Sequence, residues 1–263
     1  MTRYDFTTQP NRLDQNTMKW HEAESDPELL ELWVADMDFL PVPEIRDAVI
    51  NYAETHIFGY PYPSDELYQS IIDWEKNQHG YSVDKASIVL IEGVVPAIST
   101  AIQSFTKEDD AVLINTPVYP SFARSVRLNN RKLIENSLVK VNGHFEIDFE
   151  QLERDIVYND VKLYVFCSPH NPGGRVWTKE ELTMVADLCQ KHGVLLVSDE
   201  IHQDLALYGN KHISLNTISN AYKDFTLVLS SATKTFNIAG TKNSFTIIEN
   251  EDLRKSFKQK QLA

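Results

Sequence analysis

Short apolar runs alternate with amphipathic segments from residue 88 onward, and this rhythm is the feature that most constrains the fold. The runs are residues 88–91, 111–114, 163–167, 194–198 and 227–229. Each has the length of a strand and no alternation of polar and apolar residues, which predicts burial on both faces. Strands of this kind, separated by helices, indicate an α/β fold of three layers, αβα, with a mostly parallel sheet.

Helix starts and loops divide the rest of the chain. Apolar residues spaced by three and four predict a helix over residues 43–55, and capping residues predict helices after Ser64 and after Thr178. Residues 58–63 are rich in aromatic rings and prolines, which predicts an irregular loop. Residues 1–42 are interpreted as an N-terminal arm, and residues 43–263 as one large domain.

Charge and cysteine usage exclude several classes of function. The formal net charge of -13 argues against a nucleic acid or an anionic membrane surface as a partner. The chain begins with polar residues and has no apolar run of membrane-spanning length, which favours a cytoplasmic protein without membrane contact. Cys167 and Cys189 lack metal-site spacing and are predicted to be buried, so no metal is expected.

Residues that could bind a ligand or take part in catalysis lie where the predicted strands end. They are Gly93 with Val94 and Val95, Tyr119, Asn171, Asp199 and, after the last run, Lys234. Functional residues of parallel sheets gather at the carboxyl ends of strands, so these residues are candidates for one site. Taken singly, each has an ordinary alternative: a turn for the glycine, packing for the tyrosine.

Lys234 is the candidate with the most distinctive chemistry. It lies among small hydroxylated residues and before Gly240, directly after a predicted buried strand. A partly buried lysine loses its charge easily, and a neutral amine forms a Schiff base with an aldehyde. Most lysines are solvated, so this stretch alone also fits an ordinary surface lysine.

Motifs spread over nearly the whole chain resemble those of a known superfamily. Ser168-Pro169-His170-Asn171-Pro172-Gly173-Gly174, Ser198-Asp199-Glu200-Ile201-His202 and Ser231-Ala232-Thr233-Lys234, in that order, resemble the fold type I pyridoxal-phosphate enzymes, the aspartate aminotransferase superfamily. Further stretches look like the MalY/PatB-like cystathionine beta-lyases, also called C-S lyases: residues 33–38, 93–96, 170–177, 199–202 and 233–240.

The resemblance implies pyridoxal 5'-phosphate as cofactor and a role for each candidate. Lys234 would bind the cofactor covalently and act as the base at the substrate's Cα. Asp199 would keep the pyridine nitrogen protonated, which lets the ring accept electrons. Asn171 would donate to the 3'-oxygen, and Tyr119 would stack on the ring.

The resemblance also implies how the phosphate is held. The backbone N–H groups of Gly93, Val94 and Val95 would cradle it, and the Ser231 hydroxyl would donate to it. Tyr60 resembles the tyrosine that reaches the phosphate of the neighbouring subunit. A homodimer with shared active sites is therefore expected.

The implied reaction is β-elimination from a small amino-acid substrate. L-Cystathionine or a related S-substituted L-cysteine would give a thiol, pyruvate and ammonia. A class I/II aminotransferase would use the same residues and stays open as the alternative. A non-catalytic cofactor-binding or regulatory protein is a second alternative, because we expect the C-terminal small domain, with its carboxylate-binding arginine, to be missing from the 263 residues.

Overall fold

The computed structural model describes residues 4–26 and 28–262. It divides into two compact units, which are described one at a time. The smaller unit consists of Met1–Tyr62 and Ala232–Lys242, and the larger of Pro63–Ser231 and Asn243–Ala263. The boundary predicted at residue 43, between an arm and a large domain, stays a prediction.

Helices and strands alternate along most of the chain, as the sequence predicts. The helices are α1 (Pro43–Thr55), α2 (Asp65–His79), α3 (Val94–Phe105), α4 (Ser121–Leu128), α5 (Phe149–Tyr158), α6 (Lys179–His192), α7 (Ala232–Thr235) and α8 (Glu251–Gln261), of which α1 and α7 belong to the smaller unit. The strands are β1 (Ile88–Ile91), β2 (Ala111–Thr116), β3 (Lys132–Ser137), β4 (Val139–Val141), β5 (His144–Glu146), β6 (Val161–Cys167), β7 (Leu195–Asp199), β8 (Thr226–Ser230) and β9 (Ser244–Ile247). In the described residues no helix is both long and apolar enough to cross a membrane.

Seven strands of the larger unit form one sheet in the order β1-β9-β8-β7-β6-β2-β3. The neighbours from β8 to β3 are parallel, whereas β9 is antiparallel to both β8 and β1. Since two reversals restore the direction, β1 runs the same way as β8. The strands β1, β2, β6, β7 and β8 therefore all end at one edge of the sheet, which we call the carboxyl edge.

The central strands are buried on both faces. In β2, Leu113 packs into one apolar layer and Val112 and Ile114 pack into the other, because successive side chains of a strand point to opposite faces. Helices α5 and α6 cover the first layer, and α3, α4 and α8 cover the second. The predicted αβα fold with a mostly parallel sheet is confirmed.

Local signals place several of these elements. The Ser64 hydroxyl accepts from the Leu67 N–H at the start of α2, and Thr178 and Glu181 form a reciprocal capping box at the start of α6. The hairpin of β4 and β5 and the edge strand β3 carry too little apolar pattern to be predicted. Cys167 and Cys189 are free and buried, as expected.

Candidate active site

The carboxyl edge brings together five positions predicted from the sequence: Gly93, Tyr119, Asn171, Asp199 and Ser231 follow or end β1, β2, β6, β7 and β8 in turn. After β2 the chain moves outward to β3, and after β6 it proceeds in the opposite direction across the sheet. The point at which the strand order reverses, between β2 and β6, is where open α/β sheets bind ligands.

The start of α3 offers backbone N–H groups to an anion. The Ala97 N–H donates to the Gly93 carbonyl at 3.1 Å, and the Val94 and Val95 N–H groups precede this bond in the first turn of the helix. No acidic residue lies in the first turn of α3, and the exposed Glu92 comes before the Gly93 N-cap. A Cβ on Gly93 would come within 3.2 Å of Pro96 Cδ, so the turn has little room for a larger residue.

Tyr119 and Asn171 are held by a backbone bond between the loops that follow β2 and β6. The Tyr119 N–H donates to the Asn171 carbonyl at 3.1 Å, and His170 Nε2 lies 2.8 Å from the Pro117 carbonyl. The Tyr119 ring packs edge-on against Phe122 and keeps 43% of its surface exposed. An exposed ring held by its backbone can stack on a flat ligand.

Asp199 is the buried carboxylate of this edge. It ends β7, is 5% exposed, and accepts the Ile201 N–H through Oδ1 at 3.1 Å. Its backbone carbonyl accepts the Ser168 N–H at 2.9 Å, which joins the ends of β6 and β7. Burial and then the charge of Asp199 raise the pKa of the Cys167 thiol, so the thiol stays neutral beside it.

Ser231 is buried and already engaged. Its hydroxyl donates to the Asn243 carbonyl in the loop before β9. To donate to a bound anion, the Ser231 hydroxyl would therefore exchange this partner for the ligand.

Lys234 and Tyr60 belong to the smaller unit, which is described by itself. Lys234 is in α7, and its Nζ donates to the Ala35 carbonyl at 3.4 Å. Tyr60 is fully exposed in the irregular segment predicted between α1 and α2.

Two residues near Asn171 in the chain support its loop, although no role was predicted for them from the sequence. Trp177 is 2% exposed and donates its indole N–H to the Cys167 carbonyl at 2.9 Å. The Arg175 guanidinium lies 4.7 Å from the Trp177 ring and pairs with Glu181 at 2.7 Å. A tryptophan within a Pro- and Gly-rich loop is the only local signal, and it does not reveal these partners.

The sequence pattern also did not predict a buried polar cluster that begins at the residue after Asp199. Glu200 is fully buried, accepts from the Ser198 hydroxyl at 2.9 Å and lies 2.9 Å from His212 Nε2. Glu75, on α2, accepts from Gln203 Nε2 at 2.7 Å through one oxygen, while its other oxygen has no partner within the described residues.

The pKa of Glu75 is raised from 4.5 to about 7. Burial is the main cause, the Gln203 hydrogen bond opposes it, and the charges of Glu200 and Asp204 add to it. Burial alone would lower the pKa of His79, but its hydrogen bond to Asp204 and the neighbouring carboxylates raise it overall. The folded state therefore binds protons more tightly than the unfolded state at both groups. The contribution of Glu75 to stability is lost as pH rises from about 4.5 to about 7, and that of His79 is lost as pH rises above 6.5.

Glu75→Gln is expected to leave the free energy of unfolding nearly unchanged near pH 5 and to raise it near pH 8. The change of pKa from 4.5 to about 7 corresponds to about 3 kcal/mol as an upper value. Urea unfolding at the two pH values measures the difference, with Glu66→Gln on the exposed face of α2 as the matched control. Parallel stability curves for the wild type and Glu75→Gln would contradict the assignment.

Comparisons with known proteins show the family to which the chain belongs. Residues 27–261 match the family model of aminotransferase class I and II, and the chain belongs to that family. The chain is 39% identical over 256 residues to cystathionine beta-lyase PatB of Bacillus subtilis, covering 96% of this chain and 66% of that protein. It is 33% identical to protein MalY of Escherichia coli, covering 88% of this chain and 58% of that protein.

Among solved structures, cystalysin of Treponema denticola, which contains a pyridoxal 5'-phosphate cofactor, aligns with a TM-score of 0.94 at 38% identity. The alignment covers 98% of this chain and 67% of cystalysin. The chain thus spans 58% to 66% of the length of the two curated relatives. The resemblance to the MalY/PatB-like lyases, predicted from the motifs, is confirmed.

Proposed function

We propose that the chain is a pyridoxal-phosphate-dependent carbon–sulfur β-lyase that acts on L-cystathionine or a related S-substituted L-cysteine. The observation that carries the proposal is the carboxyl edge, where the strands end that lead to the buried Asp199 carboxylate, the exposed Tyr119 ring and the first turn of α3, which has no acidic residue. The similarity to PatB, named a cystathionine beta-lyase, supports the choice of reaction.

The residues present fit the cofactor. The N–H groups at the start of α3 suit a phosphate, and Ser231 can add a hydroxyl to them. Asp199 is a buried acceptor of the kind that holds a pyridinium proton. The half-buried Asn171 can donate its side-chain amide to the 3'-oxygen.

Each of the proposed active-site residues would have a separate role in the reaction. When bound, pyridoxal phosphate supplies an electron sink for negative charge at the substrate's Cα. Asp199 would keep a proton on the ring nitrogen by a charge-assisted hydrogen bond, and the Tyr119 ring would stack on the cofactor ring. Lys234 would hold the cofactor through its aldehyde carbon and would take the proton from the substrate's Cα.

The proposed substrate carries a sulfur leaving group on Cβ. Removal of the Cα proton by Lys234 leaves an electron pair that forms a bond between Cα and Cβ as the Cβ–S bond breaks. The thiolate leaves and takes up a proton. Water then hydrolyses the remaining three-carbon enamine to pyruvate and ammonia.

An aminotransferase is the alternative from the same family, and the family description itself favours it. It would use the same Lys234 and Asp199, but it would return the proton to the cofactor carbon and pass the amine to a 2-oxo acid. A non-catalytic cofactor-binding protein is the second alternative; it would bind pyridoxal phosphate through the same residues without turning over a substrate.

Incubation of the chain with pyridoxal phosphate and L-cystathionine is expected to release thiol and pyruvate in equal amounts, because both come from one elimination. Free thiol and pyruvate are measured in the same reaction, with Lys234→Ala as the inactive control. Glutamate formed from 2-oxoglutarate without thiol would contradict the lyase and favour the aminotransferase. Cofactor binding with neither product would favour the non-catalytic alternative.

We also propose that the chain forms a homodimer in which Tyr60 contributes to the partner's site. Tyr60, Tyr62, Ile57 and Phe58 are all largely exposed in the described structure, and a cluster of exposed large apolar side chains is typical of an interaction surface. The cytoplasmic location stays a prediction.

A further inference from the structure

Asn237 ties the segment that contains Lys234 to a segment 200 residues away in the chain. Its side-chain Oδ1 accepts the Met37 N–H at 2.8 Å, and its Nδ2 donates to the Met37 carbonyl at 3.0 Å. Nδ2 also lies 3.4 Å from the Phe39 carbonyl. The amide therefore engages both the donor and the acceptor of one residue, as a neighbouring strand would.

The backbone of Asn237 ends the helix on which Lys234 lies. Asn237 has φ of 55°, in the left-handed region, and the Ile238 N–H donates to the Thr233 carbonyl at 3.0 Å. This is the bond pattern of a left-handed helix C-cap, in which glycine is the commonest residue and asparagine is tolerated. Glycine at position 237 would satisfy the backbone but would remove the side-chain contacts.

Two basic residues hold the same segment through its acidic side chains. Arg12 pairs with Asp36 at 2.9 Å and with Asp38 at 2.6 Å, and Lys19 pairs with Asp38 at 2.7 Å. Burial opposes ionisation of Asp38, but its hydrogen bonds from Lys19, Trp20 and Arg12 lower its pKa overall. Carboxylates at positions 36 and 38 and backbone groups at positions 37 and 39 thus anchor the segment by alternate residues.

We infer that Asn237 is a positioning residue for Lys234: by clamping Met37 it holds the Ala35 carbonyl, the acceptor of the lysine Nζ, in register with α7. The inference rests on the proposed role of Lys234. Without the clamp, the helix cap can persist while the Met37 backbone is released, so the Ala35 carbonyl is held less firmly opposite Lys234, although Arg12 and Lys19 still pair with Asp36 and Asp38. The lysine amine then loses its fixed direction, which slows its reaction with an aldehyde.

Three variants separate the side chain from the backbone. Asn237→Gly keeps the left-handed conformation and removes the clamp. Asn237→Asp keeps the acceptor for the Met37 N–H but turns the donor to the Met37 carbonyl into a second acceptor. Asn142→Gly is the matched control, because Asn142 is exposed and also has a positive φ, of 50°, in the hairpin turn between β4 and β5.

The first measurements need no cofactor. Hydrogen–deuterium exchange is expected to be faster at the Met37 amide in Asn237→Gly, and acetylation of Lys234 by an amine-reactive ester is expected to be several-fold faster, because the amine loses its acceptor. Asn142→Gly should match the wild type in both. Wild-type exchange at Met37 together with wild-type acetylation at Lys234 in Asn237→Gly would overturn the inference.

Cofactor capture gives the second readout. At equal pyridoxal phosphate, Asn237→Gly is expected to fix cofactor on Lys234 roughly 10-fold more slowly under borohydride, and the pH midpoint of its visible band should shift. If Asn237 only stabilised the fold, Asn237→Gly would lower the melting temperature and leave that midpoint in place. This result would also count against the inference. Failure of the wild type itself to capture cofactor would reject the proposed function, while the cofactor-free measurements still decide the role of Asn237.

Discussion

Lys234→Ala is expected to abolish the visible absorbance band that forms when the chain binds pyridoxal phosphate, and to reduce β-elimination at least about 10³-fold. Alanine has no amine to bind the aldehyde carbon and no group to take the Cα proton, so one substitution removes both steps. Absorbance spectra before and after borohydride, and mass spectrometry of the reduced protein, check the first loss. Thiol release from L-cystathionine checks the second.

Lys258→Ala is the matched control for this prediction, because Lys258 is an exposed lysine on α8, in the other unit of the chain. It should show the wild-type band and wild-type capture. A band that persists in Lys234→Ala and is still bleached by borohydride would assign covalent capture to another lysine and refute the role of Lys234.

The sheet could be predicted from the sequence where burial alone decides the pattern. The strands β2, β6, β7 and β8 are buried on both faces, so each appears as a continuous apolar run. Because the carboxyl ends of parallel strands meet at one edge, the positions of Tyr119, Asn171 and Asp199 followed from the pattern without any knowledge of contacts.

The order of the strands in the sheet could not be predicted from the sequence pattern. β9 reads as one more apolar strand, and nothing local shows that it lies between β1 and β8 and runs antiparallel to both. β3 lies at the edge of the sheet and alternates between exposed and buried residues, so its signal is weak. Its place follows from pairing with β2, which is a property of the fold and not of residues 132–137.

Polar contacts between residues far apart in the chain could not be predicted from the sequence either. The apolar pattern of α2 does not reveal that Glu75 is buried, since its partner Gln203 is 128 residues away. The Asn237–Met37 clamp spans 200 residues. Such contacts depend on which loops the fold brings together, and a polar residue leaves no periodic signal of them.

Asp199→Asn is expected to lower the rate of β-elimination by about 10²- to 10³-fold while the chain stays folded. The asparagine side-chain oxygen can still accept the Ile201 N–H, now made by Asp199 Oδ1 at 3.1 Å, so the turn after β7 should persist. What disappears is the negative charge that holds a proton on the cofactor's ring nitrogen. Thiol release at saturating cofactor measures the rate, and thermal unfolding measures the fold.

Asp187→Asn is the control for this change, because Asp187 is an exposed aspartate on α6 that accepts from the Tyr222 hydroxyl at 2.7 Å, on a helix and not at the carboxyl edge. Asp187→Asn should keep the wild-type rate.

Since Asp199→Asn alters a charge and not the lysine, this variant should still capture pyridoxal phosphate on Lys234, and the slow step should become the removal of the Cα proton. Replacement of that hydrogen by deuterium should then slow the variant more than the wild type. Wild-type turnover in Asp199→Asn would show that this carboxylate supports only the fold and would remove it from the active site.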